Sequence, residues 1–177
     1  MSTYILGSET PESGGNDIGG AGSASYYLPD GLPTPIADPA ALYGPYWEGT
    51  RQEKLLIQRN PATGSYQWPP QWIAHDDHSF DLEWVEVSRK GIIYSWTRVW
   101  HPVHPALTEA GPYIVVIVEI PQTGGVRMLG NLLGDPMQKV EIGAEVEAVF
   151  EHHETAQPPF TLVQWRTTGP VEQRPDR

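Results

Sequence analysis

A chain of 177 residues with a formal charge of −11 and no cysteine supports one domain with short appendages. The charge argues against a general nucleic-acid binder, since neutralising phosphates takes a basic footprint that is missing here. The cysteine count excludes disulfides and thiolate metal sites.

In chain order, residues 1–34 are rich in Gly, Ser, Pro and Asp and read as a flexible tail, too poor in apolar groups to offset its ordering entropy. Tyr4, Ile5 and Leu6, then Tyr26, Tyr27 and Leu28, are its exceptions, either incidental or small anchors onto a partner. The N-terminus has neither the basic nor the apolar segment of a signal peptide. No apolar run approaches the ~20 residues of a membrane span, so a cytoplasmic location with no membrane contact is expected.

Residues 35–59 read as a helix and a lead-in strand. Asp38 suits an N-cap and Pro39 the first helical position, and Leu42, Tyr46 and Trp47 fall on one stripe. The Gly44-Pro45 pair threatens to split that helix. Lys54–Arg59 then looks like a short strand. Residues 60–81 carry turn residues, two Trp and HDDHSFD without a clear period.

The organising stretch follows. Leu82–Val87 reads as a strand with a bulge. In Gly91–Trp100, Ile93, Ser95, Thr97 and Val99 alternate with Tyr94, Trp96, Arg98 and Trp100. Tyr113–Ile120 is apolar on both faces except at Glu119, which predicts a strand covered on each side. Val126–Leu133, Glu145–Glu151 and Phe160–Arg166 complete the set, and residues 169–177 are a polar tail. Short strands with glycine-marked turns predict a small closed barrel or a sandwich, and their order favours a five-stranded OB barrel over residues 82–168.

Several stretches together resemble the DUF35 family, OB-fold proteins associated with acyl-CoA metabolism. They are Tyr46-Trp47-Glu48-Gly49, Lys54–Arg59, Pro69-Pro70, Glu83–Ser88 with Gly91, Tyr94-Ser95-Trp96-Thr97, Pro112-Tyr113, Val118-Glu119, Val126-Arg127 and Ile142-Gly143. The resemblance implies a mainly β fold: an N-terminal helix, a rubredoxin-like ribbon and a C-terminal OB barrel of five or six strands. In such ribbons two CxxC pairs hold zinc, because a tetrahedral ion takes four thiolates from two tight knuckles. The pattern puts Asn60 and Thr63 at the first pair and Ala74 and Asp77 at the second. The ribbon is therefore degenerate, no zinc is expected, and Trp68, Trp72 and the prolines are expected to hold its shape.

The resemblance further implies an accessory subunit that is not itself catalytic, in a hetero-oligomer with a thiolase-like enzyme. The large subunit supplies the nucleophile, and this chain stabilises it and helps form the acyl-CoA entrance. Cations for CoA phosphates would be Arg89, Lys90, Arg127 and Lys139, with Trp68 and Trp72 as stacking surface. Tyr46, Trp47, Trp96 and Trp100 are candidates for the partner interface. Two readings from other classes stand beside this one. The first is a free-standing OB-fold module for nucleic acid or another ligand. The second is a small metalloenzyme built on a histidine pair, with His75, Asp77 and His78 the candidate ligands; His101 with His104 and His152-His153 are the other pairs.

Overall fold

The computed structural model describes residues 26–27, 29, 31–101, 104–108 and 111–169. Tyr4, Ile5, Leu6, Leu28 and the end of the C-terminal tail lie outside them. The helix α1 spans Gly44–Arg51, five residues later than the Asp38 signal predicts. The Asp38 carboxylate instead accepts the Ala40 N–H at 2.8 Å and closes a turn. That turn folds back so tightly that a Cβ on residue 44 would lie 2.1 Å from the Pro39 carbonyl oxygen, so Gly44 is required there. Pro45 starts the helix rather than breaking it, since the first helical turn needs no N–H from it.

After α1 come β1 (Leu55–Arg59), β2 (Tyr66–Gln67) and β3 (Glu83–Val87), an antiparallel sheet in the order β2-β1-β3. Leu55 pairs with Val87 and Arg59 with Glu83, so the ribbon hairpin grows directly out of the strand that leads into the barrel. The barrel strands are β4 (Lys90–Val99), β5 (Tyr113–Ile120), β6 (Val126–Asn131), β7 (Glu145–His153) and β8 (Phe160–Thr167). Their order is β6-β5-β4-β7-β8. A parallel bridge between Leu132 and Trp165 joins the two ends, with the Leu133 N–H donating to the Trp165 carbonyl at 2.7 Å. This nearly closed five-stranded sheet is an OB-type barrel.

Closure depends on one small residue. The Trp165 indole is wholly buried and lies over Gly130, where a Cβ would approach its ring to 2.7 Å. Ile114, Val116, Val118 and Ile120 on β5 are fully buried, each contributing about 1.5–3 kcal/mol by leaving water. The other β5 face is only half-buried, so the strand is not covered on both sides as its composition predicts.

The bulge sits in β4 rather than in β3. Ile93 pairs with Val118 but Ser95 with Ile117, which leaves Tyr94 as the extra residue. Inward residues are therefore Gly91 and Ile93 before the bulge, and Trp96 and Arg98 after it, opposite the buried Val116 and Ile114. Arg98 uses that position to donate to the carbonyls of Pro136 and Gln138, both at 2.7 Å, and so holds the β6–β7 loop. One hydrophobic cluster runs from Tyr46, Leu55, Ile57 and Val87 into the barrel interior, so helix, ribbon and barrel share a core.

Candidate functional site

The four positions that the zinc-ribbon pattern assigns to cysteine lie in two matching knuckles. In the first, the Asn60 N–H donates to the Ser65 carbonyl and the Gly64 N–H to the Asn60 carbonyl, both at 2.8 Å. In the second, the Ala74 N–H donates to the Ser79 carbonyl at 2.8 Å and the His78 N–H to the Ala74 carbonyl at 3.2 Å. The fifth residue of each is left-handed: Gly64 at φ 78° and His78 at φ 60°. The backbone of two metal knuckles is thus kept without a thiolate.

A carboxylate now joins them. Asp76, one position before the ligand pattern, accepts from the buried Asn60 amide at 3.0 Å and from the Thr63 hydroxyl. These two donors, Thr63 first, hold the Asp76 carboxyl well below the usual range. The Asn60 amide and Ser79 lower Asp77 as well. Asn60 and Thr63 offer donors already committed to Asp76, and Ala74 offers no ligand atom. The set does not fit a tetrahedral zinc ion.

Behind the knuckles lies a buried amide network. Gln58 and Gln67, on neighbouring strands, are 3% and 6% exposed. Gln67 Nε2 donates to Gln58 Oε1 at 3.0 Å and to the Ile73 carbonyl at 3.3 Å. Gln58 Oε1 also accepts the Gln71 N–H at 2.8 Å, while its Nε2 donates to the Gln71 carbonyl at 3.0 Å. Gln67 Oε1 accepts the His75 N–H at 3.0 Å. Residues 71–75 are pinned at alternate backbone groups, and the side chains of Trp72 and Ile73 face solvent.

These contacts correct the expected scaffold. Trp68 packs on Tyr43 and Tyr46, with ring centroids 6.1 and 5.0 Å away, and is part of the ribbon's support. Trp72 is 69% exposed and supports nothing. Tyr46 is buried, which raises its hydroxyl pKa, while Trp47 and Trp96 are half-buried against the same core. Of the four aromatics proposed for an interface, Trp100 alone is largely exposed, with Arg98 5.9 Å from its ring.

The expected CoA-binding groups are not brought together. Arg127 lies on the outer face of β6, stacked 3.4 Å from the Tyr94 ring and bonded to Glu119 at 3.0 Å. Lys139 pairs with Glu141 at 2.6 Å in the β6–β7 loop. Arg89, just before β4, and Lys90, its first residue, line two grooves that share Thr168. One, of about 460 Å³, is lined by Arg89, Phe150 and Arg166; the other, of about 480 Å³, by Lys90, Ile92 and Pro121. The strand registers set Lys90 opposite Glu147 and Glu147 opposite Arg166 in one cross-strand row.

The histidine pairs are spread too. His75 and His78 line a groove beside Trp72, and His104 accepts the Ala106 N–H at 3.2 Å at the start of the 3₁₀ turn Pro105–Leu107. His153 stacks between Tyr26 and Phe160 and bonds Glu151 at 2.7 Å; the same glutamate accepts the Tyr27 N–H at 3.2 Å. Tyr26 and Tyr27 are thereby anchors onto this chain's own barrel. Among the described residues no three His, Asp or Glu side chains form a metal-holding group. No described helix is long and apolar enough to cross a membrane.

Gln58, Gln67 and Arg166 went unnoticed in the sequence, and Asp76 drew notice only as a residue between His75 and His78. The one signal for the glutamines is two unbranched amides in short strands next to apolar neighbours, which marks either a solvated face or a buried network.

Comparison with known proteins agrees with this architecture. The family model for the ChsH2 C-terminal OB-fold domain matches residues 84–151. A probable enoyl-CoA hydratase alpha subunit of Thermomonospora curvata is 37% identical over 128 residues, covering 72% of this chain and 38% of that protein. A DUF35 domain-containing scaffold protein of Methanocaldococcus jannaschii is 31% identical over 70 residues, 40% of this chain and 48% of that one. The chain thus spans less than half the length of these curated relatives. The structure of the Ltp2-ChsH2(DUF35) aldolase superposes with a TM-score of 0.63 at 31% identity, over 77% of this chain and 100% of that one. Matched along the whole of that solved chain, with the same OB-fold domain in place, this chain belongs to the DUF35 family.

Proposed function

We propose that this chain is an accessory subunit, not itself catalytic, of a thiolase-like acyl-CoA enzyme. The observation that carries the reading is the end-to-end similarity to a chain of the Ltp2-ChsH2(DUF35) aldolase. The scaffold role named for the Methanocaldococcus jannaschii relative points the same way. In this role the chain covers apolar surface of its partner and orders loops about the partner's active site, which is a contribution to positioning rather than to bond-making.

A contact with acyl-CoA would use Arg89, Lys90 and Arg166, and would have to displace Glu53, which pairs with Arg89 at 3.5 Å, and Glu147, which lies between the other two. A nucleic-acid module is the weaker reading. OB barrels take bases on aromatic side chains in a positive groove, but Arg127 already covers Tyr94 and is neutralised by Glu119.

Co-expression of the tagged chain with the thiolase-like polypeptide of its source organism tests the proposal. The two are expected to co-purify at about 0.5 M salt, where surface charge pairs are screened. A soluble monomer that leaves the thiolase-like polypeptide unbound overturns it.

A further inference from the structure

The most exposed aromatic side chains of the described residues are on the ribbon. Phe80 is 76% and Trp72 69% exposed, and Ile73 lies between them at 41%. None of the three belongs to the hydrophobic core cluster. The Ala74 N–H to Ser79 carbonyl bond ties together the residues that follow Ile73 and precede Phe80. The backbones that carry the two sides of the patch are therefore held one hydrogen bond apart.

Its backbone is held far more firmly than a solvent loop requires. The buried Gln58 and Gln67 amides bond Gln71 at both backbone groups, Ile73 at its carbonyl and His75 at its N–H. Asp76 fastens the adjoining knuckle to Asn60 and Thr63. Ordering a segment in advance removes part of the entropy that binding would otherwise cost. An exposed Trp on a rigid frame is the residue type enriched where interfaces gain most of their energy.

Charge then narrows the partner. Asp76, Asp77 and Asp81 lie in the same short segment as the patch, Glu83 beyond them is paired with Arg59 at 3.6 Å, and His75 and His78 line the groove beside Trp72. A second copy of the chain would bring acid against acid.

We propose that Trp72, Ile73 and Phe80 form the docking face for a partner subunit that presents an apolar pocket rimmed by Lys or Arg. The inference rests on the accessory-subunit reading and supplies what that reading lacks, the surface and the chemistry of the contact. The ribbon edge inserts, the acidic rim sets orientation, and the barrel stands behind as support.

The test measures the affinity of the full chain for the co-expressed thiolase-like subunit. Trp72→Ala with Phe80→Ser is expected to weaken binding at least roughly 100-fold. Asp81→Lys should weaken it about tenfold and flatten its salt dependence. Leu129→Ser, on the barrel's outer face, should stay within about twofold. Thermal melts of each variant verify folding, and amide exchange in the wild-type complex gives a readout without substitution: residues 71–80 should gain protection.

Wild-type binding that the double variant leaves unchanged, or protection confined to β6, overturns the ribbon face while sparing the accessory role. A wild-type chain that does not bind the thiolase-like subunit overturns both. Concentration-dependent self-association that the double variant abolishes assigns the patch to a second copy, and also overturns the proposal.

Discussion

Replacing Gln58 by Leu tests whether buried amides, rather than tryptophans or a metal, hold the ribbon. Leu fills similar space, so the change removes polar contacts without opening a large void. Gln67 Nε2 loses its 3.0 Å acceptor and keeps only the longer contact to the Ile73 carbonyl, while Gln67 Oε1 still accepts from His75. Leaving a buried amide short of a partner costs about 1–3 kcal/mol, and each part-buried bond to Gln71 adds about 0.5–1 kcal/mol, since water can replace it. The sum is about 3 kcal/mol, and for a chain of this size 1 kcal/mol moves Tm by about 2–4 °C, so a fall of about 6–12 °C is expected. Circular dichroism melts measure it, and amide exchange should show His75 losing protection before the barrel strands. Because residues 71–75 would loosen, partner affinity should also fall with Trp72 intact. A Tm within about 2 °C of wild type would refute the argument, because the network would then carry little of the ribbon's stability.

Gly130→Ala drives a methyl group against the Trp165 ring, and overpacking of this kind costs about 1–3 kcal/mol. A lower Tm with altered Trp fluorescence is expected; an unchanged melt would mean that β6 and β8 are not clamped there. Asp76 and Asp77 are lowered in the folded chain, so their contribution is present above the unfolded carboxylate value of about 3.9 and is lost as pH falls below it. Protection factors of the Asn60 and Ala74 amides, taken against the intrinsic exchange rate at each pH, should therefore fall in acid, and Asp76→Asn should flatten that fall. Arg98→Met removes two 2.7 Å bonds to the carbonyls of Pro136 and Gln138, about 1–2 kcal/mol in all. Faster amide exchange around Gln138 is the expected sign.

The strands were legible because β4 and β7 carry period-two patterns and β5 a near-continuous apolar run between prolines, and the observed bounds of β4, β5, β7 and β8 lie close to the expected ones. The β4 bulge was not, since it is a property of pairing with β5 and moves Trp96 and Arg98 to the opposite face from the one simple alternation gives. The start of α1 was misplaced because Asp38-Pro39 has the local chemistry of a helix cap, while the turn that wins depends on Gly44 fitting against Pro39. Loss of the four thiolates was legible from the missing cysteines, yet the carboxylate that joins the knuckles was not, because Asp76 is one position off the ligand pattern. Aromatic residues say nothing about direction in an aperiodic segment. Trp68 turned inward and Trp72 outward, only four residues apart.

A structural zinc site supplies about 10–16 kcal/mol to the folding of a ribbon, and a ribbon without it needs another source. This chain uses three. Leu55 and Ile57 of β1 are fully buried in the core shared with the barrel, Gln58 and Gln67 tie the far strand and loop to β1, and Asp76 closes the knuckle. Two of these bind the ribbon to itself, but the first fastens it to the barrel, because β1 pairs with β3 and β3 runs directly into β4. A metal would have stabilised the ribbon tip alone. Replacing it with a shared core fixes the orientation of Trp72 and Phe80 relative to the barrel, which is what a rigid docking edge needs and a metal site does not provide.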